Sequence, residues 1–265
     1  MPFTENQGAK IYWDAQGSGE PILLIMGLGW TSHMWYRSRP ALVSANYRTI
    51  AFDNRGVGQS DIPSGPYPLS VMASDAAAVL DAAGVERAHI HGVSMGGMIA
   101  QEFALQYPQR VRSLILGCTA AGGPNAVQAE PSVIQTLLRT DLNPAEAAEA
   151  ANSFIYASHT PRARVDEDMA LRLKWSPKRD GFMAQLQGIM IWEADSRLSR
   201  IASPTIVIHG DADRLVPSAN GRRIAGLIPG AQTFWMPGAG HIYATDQPGM
   251  SEKVILEFLA QADHH

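Results

Sequence analysis

The chain of 265 residues holds a single cysteine, Cys118, which cannot close an internal disulfide. No cluster of lysine and arginine appears, and the net charge is only −4. Nucleic acid and acidic membrane surfaces are therefore poor partners. No apolar run approaches the roughly 18 residues that a membrane helix needs. Met1 to Leu23 lacks the basic start and apolar stretch of a signal peptide. The sequence has no internal repeat, low-complexity tract, phosphate loop or metal-ligand motif. These absences fit a cytoplasmic enzyme working without metal or cofactor, and they leave its oligomeric state open. What is present is ordinary for a globular chain: 46% apolar and 17% charged residues, enough to bury a sizeable core.

The first half alternates short apolar runs with helical spacing. "KIYW", "PILLIMG", "YRTIAFD", "RAHIHGV" and "VRSLILGCT" read as strands; "SVMASDAAAVLDAAGV" and "MGGMIAQEFALQYP" read as helices stopped near Gly84 and at Pro108. Continuous aliphatic runs between helices predict a mostly parallel sheet covered on both faces. Between about Ala120 and Arg200 the rhythm changes to four helical patterns without a clear strand: "PSVIQTLLRT", "PAEAAEAANSFIYAS", "VDEDMALRLKWS" and "GFMAQLQGIMIWE". The strand pattern resumes with "PTIVIHG" and "AQTFWMPG", with helices at "SANGRRIAGLI" and "GMSEKVILEFLAQA". This predicts an α/β core over 1–121 and 198–265, with 122–197 inserted as a helical cap.

Gly92-Val93-Ser94-Met95-Gly96 sits where a strand turns into a helix. In a parallel sheet, ligands bind beyond the carboxyl ends of the strands. A sharp turn there pushes the Ser94 hydroxyl into the cleft, and glycines on either side remove the Cβ atoms that would collide. The same turn opens a helix N-terminus, whose free N–H groups favour negative charge. A serine hydroxyl is a weak nucleophile and needs a base held by a carboxylate. Of the eight histidines, His264 and His265 lie at the frayed end, and His89 and His91 alternate along a buried strand. His33 and His159 can line the cleft, while His209 ends a strand in a structural setting. His241 lies in a glycine-flanked loop after the last strand and is the best base. For the carboxylate, Asp211 and Asp213 both follow "IVIHG". Asp213 is preferred, because Asp211 directly follows Gly210 and suits the turn itself. The backbone N–H of Met95 and that of Leu28, between Gly27 and Gly29, complete an oxyanion hole.

Five segments carry a family resemblance: "MGLG" at 26–29, "FDNRGVGQSD" at 52–61, "GVSMGG" at 92–97, "HGDAD" at 209–213 and "GAGH" at 238–241. Together they resemble the α/β-hydrolases, in the branch of serine esterases, lactonases and perhydrolases. Met26 departs from the histidine that many relatives carry there. The resemblance implies that Asp53 and Arg55 brace loops beside the site. It also implies acyl transfer, since dehalogenases and epoxide hydrolases of this fold place aspartate at the Ser94 position. The expected substrate is a small ester or lactone with an apolar acyl group, acyl-homoserine lactones included. Trp30, Met34, Met190 and Trp192 are expected to line the acyl pocket, with Trp35, Trp175 and Met183 as further candidates. Perhydrolysis or enol-lactone hydrolysis on the same triad is an alternative, although no arginine or lysine stands out to grip a substrate carboxylate. A non-catalytic ligand-binding relative is the other alternative.

Overall fold

The computed structural model describes residues 2–139 and 141–264. His265 and Thr140, the end of the "PSVIQTLLRT" pattern, lie outside the described residues. In chain order the elements are β1 Phe3–Asn6, β2 Ala9–Gln16, β3 Glu20–Ile25, α1 Ser38–Ser44, β4 Tyr47–Phe52, α2 Leu69–Ala82, β5 Ala88–Val93, α3 Met95–Gln106 and β6 Val111–Gly117. Then come α4 Pro131–Leu137, α5 Pro144–Ile155, α6 Arg162–Lys174, α7 Arg179–Ile191, β7 Thr205–Gly210, α8 Ala219–Leu227, β8 Gln232–Met236, α9 Tyr243–Asp246 and α10 Pro248–Asp263.

Among the described residues, eight strands form one sheet in the order β1-β2-β4-β3-β5-β6-β7-β8. β1 and β2 run antiparallel at one edge, and β4 to β8 are parallel throughout. Alternate residues of each strand face opposite layers. Leu23 and Ile25 pack with α2 and α3, whereas Ile22 and Leu24 pack with α1 and α10. Both faces are covered, which is why the strands read as unbroken apolar runs. The chain steps from β3 outward to β4, then returns to place β5 on the other side of β3. That reversal leaves a crevice beyond the carboxyl ends of β3 and β5, where open α/β sheets bind ligands.

The helical segment between β6 and β7 leaves and rejoins the core side by side: Gly122 bridges Glu193, and the Ala194 N–H donates to Ala121 O at 2.8 Å. It is not loosely perched. Gly181, Ala184 and Gly188 line one side of α7, so its backbone packs directly on Gly56, Gly65 and Tyr67. The Tyr67 N–H donates to Ala184 O at 3.0 Å. No described helix is long and apolar enough to cross a membrane.

Candidate active site

Ser94 stands at the corner between β5 and α3 with φ 55° and ψ −125°, a conformation that L-residues rarely adopt. Neighbouring backbone holds it there. The Ser94 N–H donates to Gly117 O at 2.9 Å, and Thr119 Oγ1 donates to Ser94 O at 2.7 Å. A Cβ on Gly92 would run into the Gly96 carbonyl, and one on Gly96 into the Ile25 carbonyl. The corner thus tolerates a side chain at 94 only because 92 and 96 have none.

The crevice brings the loop after β3 onto this corner, so that a Cβ on Gly27 would lie 3.0 Å from Ser94 Cβ. Three contacts set that loop. Asn54 Nδ2 donates to Met26 O at 2.9 Å. The Gly29 N–H donates to Gln185 Oε1 at 2.8 Å, and Gln185 Nε2 donates to Arg55 O at 2.8 Å. Buried Asp53 accepts from Ser32 N–H and Ser32 Oγ, both at 2.8 Å, and from Gln59 N–H at 2.9 Å. Arg55 pairs with Asp75 of α2 at 2.6 Å. Among the described residues, the N–H groups of Leu28 and Met95 have no protein acceptor. Both sit on the two segments that meet at Ser94.

His241 Nδ1–H donates to Asp213 Oδ2 at 2.8 Å, and both side chains are buried. Asp213 Oδ1 accepts from the N–H groups of Leu215 at 2.9 Å and Val216 at 2.8 Å. Burial, the largest influence on Asp213, pushes its carboxyl upward. His241 and His209 outweigh it and bring the group down to about 2. For His241, burial again is the largest influence and pulls the imidazole down, but Asp213 and the neighbouring Cys118 sulfur hold it well above 6.5. Asp211 sits apart, accepting from the Gly238 N–H at 2.6 Å. No hydrogen bond joins Ser94 Oγ to His241 among the described residues. The imidazole instead rests against Cys118, which follows the Gly117 that holds Ser94 N–H.

The histidine loop is strapped to α5. The Ile242 N–H donates to Ile155 O at 2.9 Å. Asp246 accepts from Gly240 N–H at 2.7 Å on one side and from Ala157 N–H at 3.2 Å on the other. Burial, the largest influence, raises the Asp246 carboxyl above its ordinary range. None of these ties is visible locally in the sequence, because each joins residues far apart or uses backbone atoms. Local sequence therefore gives no signal for Gln185, Asp246 or Cys118 beside the site, and His209 reads there only as the end of a strand.

Of the expected lining residues, Trp30 and Met34 are half-buried, like Val93, against the cluster that holds Met26 and Cys118. Trp30, like Leu215 and Ile242, also packs against the cluster of Phe154, Ile155 and Met169, and Arg172 stacks over its ring at 5.0 Å. Met190 and Trp192 correct the expectation. Met190 is 76% exposed on the outer side of α7. Trp192 is buried in the core layer of α2 and α3, where its Nε1–H donates to Glu102 Oε2 at 2.8 Å. A residue just past a helix end follows the returning chain into the core, which helical spacing does not reveal. Trp35 is buried against His91, and Met183 is exposed. Trp175 stacks on His33 at 4.4 Å. His159 is exposed beside Gly238. Surface cavities of about 340 and 270 Å³ share Arg87 and Arg112 at the amino ends of the strands, the sheet edge opposite Ser94.

Residues 20–246 match the family model described as the alpha/beta hydrolase fold. A protein of Azorhizobium caulinodans named as a candidate carbamate hydrolase, RutD, is 30% identical over 99% of this chain and 100% of its own length. A poly(3-hydroxyalkanoate) depolymerase of Ectopseudomonas oleovorans is 32% identical over 91% of this chain and 84% of its own. The solved structure of Est816, described as an N-acyl homoserine lactone degrading enzyme, superposes with a TM-score of 0.83 at 29% identity. It covers 97% of this chain and 100% of that one.

Proposed function

Because the chain belongs to the α/β-hydrolase family, we propose that it is a serine hydrolase of carboxylic esters or lactones with an apolar acyl group. The observation that carries this reading is a convergence at one sheet edge. Ser94 stands on its strained corner beside two unpaired N–H groups, and the His241–Asp213 pair lies across the neighbouring Cys118.

In this reading Ser94 Oγ attacks the acyl carbon while His241 Nε2 takes its proton. The carbonyl electron pair moves onto oxygen, where the Leu28 and Met95 N–H groups receive it. Each such donor typically contributes about 2.7–4 kcal/mol to the transition state. Collapse breaks the acyl–oxygen bond, and His241 returns the proton to the departing alkoxide. Water, deprotonated by the same imidazole, then cleaves the acyl-enzyme and releases the acid. A lactone follows the same steps, with alcohol and acid remaining on one product. The missing Ser94–His241 hydrogen bond is compatible with this route, since catalytic hydrogen bonds often tighten only with substrate bound.

The helices across 122–197 serve as the cap. Half-buried Leu28, Trp30, Met34, Val93, Leu215 and Ile242 supply an apolar surround for the acyl group. The depolymerase and lactone-degrading relatives support oxygen esters as the class. The carbamate name of the third makes a carbamate the competing substrate.

A panel of p-nitrophenyl esters, N-acyl homoserine lactones and an aryl carbamate tests the reading. Each added methylene buried against the cap contributes up to about 0.8 kcal/mol. We therefore expect kcat/KM to climb up to about four-fold per methylene until the pocket fills. A fluorophosphonate should label Ser94, and Ser94→Ala should lose about 10⁴-fold or more in kcat. Undiminished turnover by a natively folded Ser94→Ala would overturn the nucleophile. Preference for the carbamate would overturn the bond specificity.

A further inference from the structure

His209 closes β7 and is wholly buried. Its Nε2 lies 2.7 Å from the Val216 carbonyl and 3.2 Å from Asp213 Oδ2, the same oxygen that His241 uses. A carbonyl can only accept, so Nε2 must carry the proton. Nδ1 is buried with no partner, and it abuts α8 where a Cβ on Gly221 would lie 2.6 Å away. A second proton there would be an unsatisfied buried charge, which is costly. His209 Nε2–H therefore donates to Val216 O, and the same N–H edge lies 3.2 Å from Asp213 Oδ2.

From this arrangement we propose that His209 is the positioning residue of the acid loop and sets the basicity of His241 through Asp213; the assignment rests on the serine-hydrolase reading above. The ring ties Val216 O down from below, while Val216 N–H and Leu215 N–H clamp Asp213 Oδ1. The loop that presents the carboxylate is thus tied on both sides of Val216. The positive N–H edge of the ring, 3.2 Å from Oδ2, withdraws charge from the carboxylate, so Asp213 holds a proton on His241 less tightly. Without it the imidazole would stay charged to higher pH, where it cannot accept the Ser94 proton. Asp213 and Cys118 face the His241 ring, and Asp246 acts one peptide away through Gly240 N–H. None of these three would be removed by a change at 209. Asp213 faces His209, with Gly221 and Trp235 packed on the other edge.

The test titrates His241 by ¹⁵N and ¹H NMR in the Ser94→Ala background, where no turnover is needed. His209→Phe removes the donor, and His209→Gln returns an N–H from a side chain of similar reach. We expect the His241 midpoint to rise by about 0.5 to 1 pH unit in His209→Phe and to return in His209→Gln. With Ser94 intact, the same shift should appear as a loss of about three- to ten-fold in kcat/KM on the acid limb, with little change at high pH. A merely structural role would lower activity equally at every pH. An unchanged His241 midpoint in folded His209→Phe would overturn the proposal. If that variant does not fold, the wild-type spectrum decides. His209 must carry its proton on Nε2, and an Nδ1–H ring overturns the proposal. Failure of the hydrolase reading would show separately, as wild-type protein without Ser94-dependent turnover.

Discussion

Ser94 and Cys118 are non-glycine residues with positive φ, 55° and 40°, and they close adjacent strands at the same sheet edge. Strained backbone tends to collect at functional sites, where the surroundings over-determine it. Here the backbone bonds of Ser94 N–H to Gly117 O and Cys118 N–H to Ile208 O supply that constraint. The charged pair beside them makes activity and stability favour opposite sides of neutrality. His241 is held above 6.5, so its contribution to stability is complete below that value and is lost as pH rises through the folded-state pKa. Asp213 is depressed to about 2, so its contribution is complete above its ordinary 3.8 and is lost as pH falls towards 2. In the proposed mechanism a neutral His241 is the active form. We therefore expect kcat/KM to rise with a midpoint above 6.5, while the Tm advantage of wild type over His241→Ala is largest between about pH 4 and 6.5 and shrinks at higher pH. Parallel pH series of kcat/KM and Tm check this, and an advantage that grows above neutrality would contradict it.

At the scale of elements, α7 links the inserted segment to the loop after β3. Its small residues bring the helix backbone down onto the Gly56 and Tyr67 segments, which puts buried Gln185 within reach of Gly29 N–H and Arg55 O. The Gly29 donor is thereby occupied, while the Leu28 N–H beside it has no protein acceptor among the described residues. Gln185→Ala strands a buried donor and a buried acceptor, each loss typically costing about 1–3 kcal/mol. The expected outcome is a fall in urea stability of about 2 kcal/mol or more, accompanied by lower kcat from a loosened Leu28. Denaturant titration alongside kcat measures both. Stability loss with kcat intact would show that α7 braces the fold without setting the oxyanion loop.

For the molecule as a whole, Asp168 of α6 gathers three distant segments around one buried carboxylate. It accepts from Tyr36 OH at 2.6 Å, Tyr156 OH at 2.9 Å and Thr245 Oγ1 at 2.7 Å, with Arg37 at 3.5 Å. Removing one partner of a buried ionic network typically costs about 3–5 kcal/mol. Asp168→Ala should therefore lower unfolding stability by about 3 kcal/mol or more; a change under 1 kcal/mol by urea titration would show that the network is not cooperative. Such long-range ties mark what the sequence determined and what it did not. The strands of the parallel sheet were legible because burial on both faces demands unbroken aliphatic runs. The Ser94 corner was legible because close strand–helix approach demands glycine at 92 and 96, and the order of "GVSMGG", "HGDAD" and "GAGH" is itself linear. The Asp213 partner of His241 also followed from loops that must exit at one edge. The short edge strand β1 and the small helices α1 and α9 left too few residues for a period to register. Tertiary structure alone decided that Trp192 turns into the core while Met190 faces outward, because neighbours on one helix end differ by which layer they meet. It alone decided that Cys118 lies under His241 and that His209 shares the Asp213 oxygen. The first contact joins loops that leave different strands, so its distance depends on the sheet register; the second spans only four residues but depends on how the loop after β7 folds back over its own strand end.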